Sequence, residues 1–307
     1  MIHPATRKRF HRIVPKLLEW HRANHRSFIW RGLKRSPYIV LVSEFMLQQT
    51  GTKQVEKHLP NFLRKFPTMK KLAAASRPEV IRAWQGLGYN RRAINLHLAA
   101  KAITAKGRFP KDLKGLQGLP GVGIYTASAV LAFAYNANVP VVDVNIERVL
   151  SRLWKPMRRS HDTLPIKEIY LLDRAILPTG QSSNWHEALM DLGATICTKN
   201  APKCSTCPLR PRCPSTSRMK LALPERNLPQ ERRHFGQPRR IWRGRILQLI
   251  SKNETQTKHT LFAEMKKRYP ISKTTFVPFV LSILATLEKE GFLTQTKKGA
   301  FHLAEHQ

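Results

Sequence analysis

Acidic residues are scarce in this sequence. Of its 307 residues, 19 are Asp or Glu and 54 are Lys or Arg, which gives a formal net charge of +35 at pH 7. A surplus of this size favours a polyanion as the partner, most often nucleic acid. An anionic membrane surface is the alternative that the charge alone leaves open.

Long apolar runs are also missing. No run reaches the roughly 18 residues that a membrane-spanning helix needs. The first segment, MIHPATRKRFHRIVPK, lacks the apolar core of a secretory signal peptide. We therefore expect no membrane association and a reducing, cytoplasmic compartment.

Cysteine is rare, and its placement is informative. The four cysteines of the chain, Cys197, Cys204, Cys207 and Cys213, all lie in one short stretch that follows an amphipathic run. In a reducing compartment such a cluster is more often a metal site than a pair of disulfides. The spacing alone suits structural zinc as well as an iron–sulfur cluster.

Helical periodicity dominates the pattern, so we expect a mostly α fold. The segments that we predict as helices between residues 37 and 140 are 37–49, 54–66, 78–84, 91–105 and 124–134. Residues 214–240 show no periodicity and are predicted to be a linker. Helices at 241–251, 259–268 and 274–289, followed by a hairpin over 292–303 around Lys298-Gly299, are typical of a winged helix.

A glycine-containing turn, Leu119-Pro-Gly-Val-Gly123, separates two helical runs. Gly121 and Gly123 allow the backbone to come close to a ligand, and amides entering the next helix can face a phosphate. Together with the positive charge, this pattern favours a helix-hairpin-helix that contacts DNA. A plain interhelical turn is the alternative.

Two carboxylates stand among apolar neighbours. Glu44 lies in Val42-Ser-Glu-Phe-Met and Asp143 in Val141-Val-Asp-Val-Asn. Alone, Glu44 is readily an exposed helix residue and Asp143 a helix N-cap. As a pair they suit cleavage at an acetal-like carbon, where one protonates the leaving group and the other stabilises an oxocarbenium-like sugar.

Several blocks, in order along residues 10–215, resemble the helix-hairpin-helix DNA glycosylases, and within them the MutY-type adenine glycosylases. The blocks are Glu44-Phe-Met-Leu-Gln-Gln-Thr50, Trp84-Gln-Gly-Leu-Gly-Tyr89, Leu119-Pro-Gly-Val-Gly123, Val142-Asp-Val-Asn145, Ala188-Leu-Met-Asp-Leu-Gly-Ala-Thr-Ile-Cys197 and the cysteine spacing. The resemblance implies a six-helix domain at 34–140 and a [4Fe–4S] cluster domain at 1–33 and 141–215. A basic linker at 216–240 and the winged-helix-like domain at 241–307 complete this division.

The resemblance also implies catalytic roles. Glu44 would protonate the adenine and help to activate water, Asp143 would stabilise the sugar cation, and Asn145 would orient Asp143. Tyr125 stands where relatives similar to endonuclease III have the lysine that forms a Schiff base, so we expect a monofunctional glycosylase. For Tyr125, packing against the hairpin is the alternative.

Further residues are expected to hold double-stranded DNA with a mismatched or damaged pair, whose target nucleotide is flipped out of the duplex into a cleft. Gln48 and Gln49 would probe the duplex near that nucleotide. Tyr89 would wedge beside the opposite base, unless it is a core residue. Arg31 is expected at a position that lines the pocket in the family; the alternative is that it is simply an exposed arginine. The other predicted contacts are basic residues that the cysteine segment would hold against phosphates, namely Lys199, Lys203 and Arg210. We expect the protein to act as a monomer.

The chain departs from the family pattern in three places. Residues 214–307 lack the pattern of the Nudix-like domain that reads 8-oxoguanine in MutY-type enzymes. Gly51 replaces the usual glutamine after Gln-Gln-Thr, and Asn90 replaces the second tyrosine of Gly-Tyr-Tyr. These changes leave the opposite-base preference open.

The expected function is excision of adenine mispaired with 8-oxoguanine or guanine. A thymine or uracil glycosylase acting opposite guanine is the first alternative, because such enzymes also carry a tyrosine after the hairpin. Gln48-Gln49 favours adenine. A non-catalytic regulator with a redox-sensing cluster is the second alternative, against which the retention of both carboxylates speaks.

Overall fold

Helices make up most of the structure, a computed structural model that describes residues 4–33, 35–157, 162–216, 231–252, 255–269 and 274–305. The helices of this described part are α1 Pro4–Asn24, α2 Ile29–Gly32, α3 Pro37–Leu47, α4 Thr52–Lys65, α5 Met69–Ala74, α6 Arg77–Ala83, α7 Arg91–Ala105, α8 Leu113–Gln117, α9 Ile124–Tyr135, α10 Val144–Trp154, α11 Ile166–Ile176, α12 Ser182–Thr195, α13 Arg239–Lys252, α14 Lys258–Arg268 and α15 Phe276–Lys289. The mostly α prediction is confirmed, and α7 has the predicted limits.

Local signals explain many helix starts. Ser76 and Glu79 form a reciprocal capping box at α6, in which each side chain accepts from the other residue's backbone N–H. Asp112 begins α8 by accepting from the N–H of Gly115 at 2.8 Å, and Thr257 begins α14 in the same way through Thr260. Such caps satisfy amides that have no intrahelical partner.

The described residues divide into two compact units. The first draws on Met1–Leu41, Pro110–Gly118 and Val122–Leu228, and the second on Val42–Phe109, Leu119–Gly121 and Pro229–Gln307. The four predicted domain segments stay a prediction.

The first unit is built on a core in which α1, α10, α11 and α12 meet. Its largest fully buried side chains include Phe10, Trp185 and Arg152. Cys197, Cys207 and Cys213 pack against the edge of this apolar cluster. The core therefore supports the segment that carries the cysteines.

In the second unit, one apolar cluster joins α6 and α7 to the C-terminal helices. Ile81 and Ile94 belong to the same buried set as Trp242, Ile246 and Leu284. The C-terminal helices thus share one apolar core with α6 and α7.

The C-terminal elements follow the predicted order of three helices and a hairpin. Strands β3 Leu293–Gln295 and β4 Phe301–Leu303 pair antiparallel, with Thr294 opposite His302. Gln256, just before α14, adds a bridge to Phe301. Gly299 turns the hairpin with φ +74°.

Part of the predicted linker is folded. Residues 217–230 lie outside the described residues, but strands β1 Arg233–His234 and β2 Gln237–Pro238 pair antiparallel around Phe235 and Gly236. Both turn residues have positive φ. The Phe235 ring lies 5.0 Å from that of Phe276 and 5.3 Å from that of Phe279. These aromatic contacts are long-range, which is why local periodicity did not reveal the turn.

Within the described residues, every helix is too short or too polar to cross a lipid bilayer.

Candidate functional site

Glu44 lies on α3 in the second unit, in an apolar setting. Its side chain is buried, and the neighbouring Phe45 and Met46 are fully buried. The alternative of an exposed helix glutamate is therefore wrong. A carboxyl group in such a setting is shielded from bulk water, as a proton donor to a leaving group needs to be.

The end of α3 is held by Arg92 from α7. Its guanidinium donates to the carbonyl oxygens of Phe45 and Met46, both at 2.9 Å, to that of Gln48, and to that of Gly88 at 3.0 Å. Burial lowers the pKa of Arg92 to about 10, so the group stays charged at neutral pH. Arg92 thereby fixes two loops, the one after Glu44 and the one before Tyr89.

These two loops present three of the predicted DNA contacts together. Gln48, Gln49 and Tyr89 line one cavity of about 380 Å³. Gln49 and Tyr89 have φ of +57° and +46°, an uncommon conformation for side-chain-bearing residues. Tyr89 is 41% exposed, so the alternative that it is a core residue is wrong.

The predicted hairpin runs from α8 to α9. Gly121 has φ +75°, and a Cβ there would lie 2.8 Å from the Asn95 side chain and 3.0 Å from Phe45. Gly123 begins α9, whose first intrahelical bond runs from the Ala127 N–H to the Gly123 carbonyl at 2.9 Å. Gly123 itself is exposed. The start of a helix is a place where backbone amides can face a phosphate. Leu119 is buried and anchors the loop that leads to it.

Asp143 is the N-cap of α10 in the first unit. The helix cap that was the alternative for this residue is therefore present. One carboxylate oxygen accepts from the N–H groups of Asn145 at 3.0 Å and Ile146 at 2.7 Å. The other accepts from the Asn145 side-chain amide at 2.8 Å. Capping and orientation by Asn145 therefore coexist, and they hold the carboxylate in one position at a helix end that favours negative charge.

A buried network fixes the segment that leads to Asp143. The Val141 N–H donates to Asp173 at 3.2 Å. Asp173 also accepts from the Trp185 indole and lies 2.8 Å from His186, and Asp173 and His186 are fully buried. A satisfied polar network of this kind specifies one backbone position.

Asn145 is itself held by Arg148. The Arg148 guanidinium donates to the Asn145 side-chain oxygen at 2.8 Å, to the Gly193 carbonyl at 2.7 Å and to the Cys197 carbonyl at 2.8 Å. A Cβ at Gly193 would lie 2.7 Å from that of Asn145. A continuous chain of hydrogen bonds thus runs from Asp143 to the first cysteine.

The cysteine segment begins where α12 ends. The Cys197 N–H donates to the Leu192 carbonyl at 2.7 Å. The buried Arg152 donates to the carbonyl oxygens of Thr198 at 2.8 Å and Lys199 at 3.1 Å, and lies 3.3 Å from the Cys197 sulfur. Short 3-10 turns at Cys204–Thr206 and Arg210–Arg212 carry the segment on to Cys213.

All four thiols are half-buried. Burial raises the pKa of Cys207 to about 11 and also raises that of Cys197 and Cys204, and the neighbouring cysteines raise these values further. Among the described residues, no three His, Cys, Asp or Glu side chains are arranged to hold a single metal ion.

The Arg31 side chain is mostly buried and is held by an ion pair. It donates to Asp191 at 2.7 Å and is 3.5 Å from Glu187, with about a tenth of its side chain exposed. Although burial alone would raise the pKa of Asp191, His21 at 3.4 Å and the hydrogen bonds from Arg31 hold it well below its usual range. Arg31 is therefore paired with Asp191 inside the fold, and the alternative that it is an exposed arginine is wrong.

The remaining predicted contacts are on the surface or partly so. Lys199, Lys203 and Arg210 are exposed on the cysteine segment. Tyr125 is half-buried beside Ala129, Ala132 and Val141, so the packing that was the alternative for this residue is present. Its catalytic role stays a prediction.

Sequence reasoning missed the arginines that organise these residues. Arg92, Arg148 and Arg152 position the functional segments from inside the fold. One signal was available: Arg148 and Arg152 are spaced by four residues on α10, and Arg152 sits between Ser151 and Leu153 on the face that is buried.

Comparison with known proteins places this geometry in a family. A model of HhH-GPD superfamily base excision DNA repair proteins matches residues 42–167. Adenine DNA glycosylase of Mycolicibacterium smegmatis is 34% identical over 293 residues, which cover 94% of this chain and 95% of that protein. The adenine DNA glycosylase of Mycobacterium tuberculosis is 43% identical over 197 residues, or 63% of this chain, and the match spans 64% of that relative's length.

A solved structure gives the same result at the level of the fold. A thermostable thymine-DNA glycosylase superposes with a TM-score of 0.63 and 29% identity, over 69% of this chain and 99% of that one. The chain therefore belongs to the HhH-GPD superfamily of base excision DNA repair proteins and, within it, to the adenine DNA glycosylase family.

Proposed function

We propose that this protein is a monofunctional DNA glycosylase that hydrolyses the N-glycosidic bond of adenine mispaired with 8-oxoguanine or guanine. The observation that carries the proposal is the Asp143 carboxylate, which three donors from Asn145 and Ile146 hold at the start of α10. A carboxylate fixed in this way is suited to a cation that develops at one place. Membership of the adenine DNA glycosylase family supports adenine as the base that is excised.

In this mechanism Glu44 gives a proton to the departing adenine, which makes the base a better leaving group. As the bond to the sugar lengthens, positive charge develops on the sugar ring and Asp143 stabilises it electrostatically. Glu44 then assists the water that adds to the sugar. Tyr125 provides no amine, so no Schiff base forms and the DNA strand is not cut.

The four cysteines fit a [4Fe–4S] cluster. Four thiolates hold such a cluster, and Cys197, Cys204, Cys207 and Cys213 are half-buried on one segment of the chain. A single zinc ion would need its ligands converged on one point. The four cysteines would hold the cluster, which would supply a structural cross-link, and Lys199, Lys203 and Arg210 would then face the phosphates.

The adenine proposal is tested by excision from four duplexes. The purified chain is incubated with A opposite 8-oxoguanine, A:G, T:G and U:G, and alkali then reveals abasic sites. We expect cleavage of the first two only. Cleavage only of T:G or U:G would overturn the adenine assignment in favour of the activity named for the structurally similar thymine enzyme.

The carboxylate roles are tested by Glu44→Gln and Asp143→Asn. Asparagine caps a helix about as well as aspartate, so Asp143→Asn removes the charge with little loss of stability. Each variant should lose turnover and keep duplex binding. Glu147→Gln, one turn further along α10, is the matched control. Two active variants would contradict the roles, and binding without excision by the unaltered chain would indicate a regulator.

A further inference from the structure

The described residues of 231–305 are called the C-terminal unit below; they are part of the second compact unit. Polar contacts fix them to α6 and α7, in addition to the shared core. The Arg82 side chain of α6 donates to the Ser251 carbonyl at 3.2 Å, and Gln85 donates to the Ser251 hydroxyl. Arg91 of α7 donates to the Glu290 carbonyl at 3.1 Å. These contacts give α13 a defined position beside the loop that carries Tyr89.

Because of that position, α13 forms one wall of the cavity that holds Gln48, Gln49 and Tyr89. Arg240 and Arg243 of α13 line the cavity together with Asn90 and Asn95. The Arg240 guanidinium lies 5.8 Å from the centre of the Tyr89 ring. The cavity volume, about 380 Å³, is within the range of pockets that bind small ligands.

The chemistry of this lining suits a nucleobase better than a phosphate. A phosphate has only acceptors and needs only cations and N–H groups, whereas Gln48, Gln49 and Asn95 offer both donors and acceptors. Tyr89 is 41% exposed, and an accessible aromatic ring is a group on which a flat base can stack. An arginine beside such a face can make the two-pronged bond to O6 and N7 by which proteins recognise guanine.

We propose that Arg240 makes the C-terminal unit part of the site that reads the base opposite the adenine, and that this base is a guanine, whose O6 and N7 both accept hydrogen bonds. The inference rests on the proposed glycosylase function and adds a specificity residue to it. The wall formed by α13 would then read the base with residues from the part of the chain, 214–307, that lacks the Nudix-like pattern.

Two carboxylates near the arginines affect their availability unequally. Glu290 binds Arg243 through both oxygens, one at 3.0 Å, so Arg243 is committed to the C-terminal unit. Glu231 binds Arg240 at 2.7 Å, but both side chains are nearly half exposed. An exposed ion pair of this kind is worth little, so a base can displace Glu231 from Arg240.

The test measures binding in the full chain carrying Glu44→Gln, so that no substrate is consumed. Dissociation constants are compared for A:G, A:8-oxoguanine, A:C and A:T duplexes. Arg240→Ala should weaken binding to the A:G duplex by about tenfold relative to A:C and A:T. The loss with A:8-oxoguanine should be smaller, because N7 of that base carries a hydrogen and only O6 can accept from the arginine. Arg240→Lys keeps the positive charge but lacks the planar guanidinium that can form two parallel hydrogen bonds. It should therefore lose the preference for the A:G duplex as Arg240→Ala does.

Two further variants make the result decisive. Lys267→Ala removes one exposed charge from α14, away from the cavity, and should leave discrimination unchanged. Glu231→Gln frees Arg240 and should keep or tighten binding to A:G. An equal loss with all four duplexes would assign Arg240 to a phosphate and overturn the proposal, as would no loss at all. Excision by the unaltered chain reports separately on the proposed function.

Discussion

At the scale of single residues, arginine side chains that are buried or half-buried hold the segments around Glu44 and Asp143. Asp143 is oriented by Asn145, and Asn145 in turn by Arg148. Burial lowers the pKa of Arg148, while the nearby Cys197 opposes that effect. The chain of contacts makes the position of the Asp143 carboxylate depend on a residue that also holds the cysteine segment.

Arg148→Ala should therefore slow excision by about a hundredfold, since a small displacement of a catalytic group has an effect of that size. The loss should lie in kcat, with KM for the duplex little changed. A double-mutant cycle with Asn145→Ala should show strongly non-additive losses, because both residues act through Asp143. Arg174→Ala, an exposed arginine of α11, is the matched control, and additive losses would contradict the coupling.

Residue types were easier to predict than their surroundings. The apolar flanks of Glu44 and Asp143 marked both as unusual, and the structure agrees for Glu44, which is buried. The pairing of Arg31 with Asp191 could not be predicted, because the two residues are 160 positions apart in the sequence. Pairing of buried charges is set by the fold, and no local pattern records it.

At the scale of elements, the hairpin between α8 and α9 depends on two glycines with different requirements. Gly121 has a left-handed backbone, and a Cβ there would meet Asn95 and Phe45. Gly123 has φ −83°, and a Cβ there would have no other atom within 4 Å. The two positions therefore offer a matched pair within one turn.

Gly121→Ala should reduce the free energy of unfolding by about 1–3 kcal/mol, from backbone strain together with the contact to Asn95. Gly123→Ala should leave stability almost unchanged, because reduced freedom of the unfolded chain offsets a poorer N-cap. Its added methyl group should instead weaken duplex binding at the helix start. Thermal unfolding and binding measured on both variants check this, and equal destabilisation would contradict it.

A buried cluster of ion pairs connects α2, and the segment before it, to α12. Asp191 accepts from Arg26 and Arg31, and its carboxylate is fully buried. Removing one partner from such a buried group leaves the other charges uncompensated, which costs about 3–5 kcal/mol. Asp191→Asn should therefore unfold at a clearly lower temperature than the unaltered chain at pH 7.

The pH dependence of that difference has a definite sign. Because the folded-state pKa of Asp191 is depressed, its stabilisation is present above the ordinary aspartate pKa and is lost as pH falls through the folded value. The gap in unfolding temperature should narrow below about pH 4. Glu168→Gln, at an exposed pair with Lys155, is the control and should have a small effect at every pH. A constant gap for Asp191→Asn would contradict the argument.

At the scale of the whole molecule, family and helix content could be predicted because they depend on ordered blocks and periodicity. The turn at Phe235-Gly236 and the sharing of one core by Ile81, Ile94 and Trp242 could not. Both arise from contacts between residues far apart in sequence. The same holds for the wall that α13 adds to the cavity around Tyr89.

The net charge of +35 bears on association with DNA, because each phosphate contact releases a counterion and adds about 0.9 to the slope of log affinity against log salt. Excision should therefore be strongly salt-dependent in kcat/KM and much less so in kcat, which reports on the bound state. The charge distribution decides which lysines contribute. Lys203 lies on the cysteine segment, and Lys70 lies on α5 in the other unit; both are exposed.

Lys203→Ala and Lys70→Ala lower the net charge equally, so a general field effect would change binding equally in both. A phosphate contact at Lys203 instead predicts that only Lys203→Ala reduces the slope, by about one, with a uniform loss of affinity across sequences. Duplex dissociation constants between about 50 and 200 mM salt measure this. Equal slopes for the two variants would show that the cysteine segment contributes its charge without touching the DNA at Lys203.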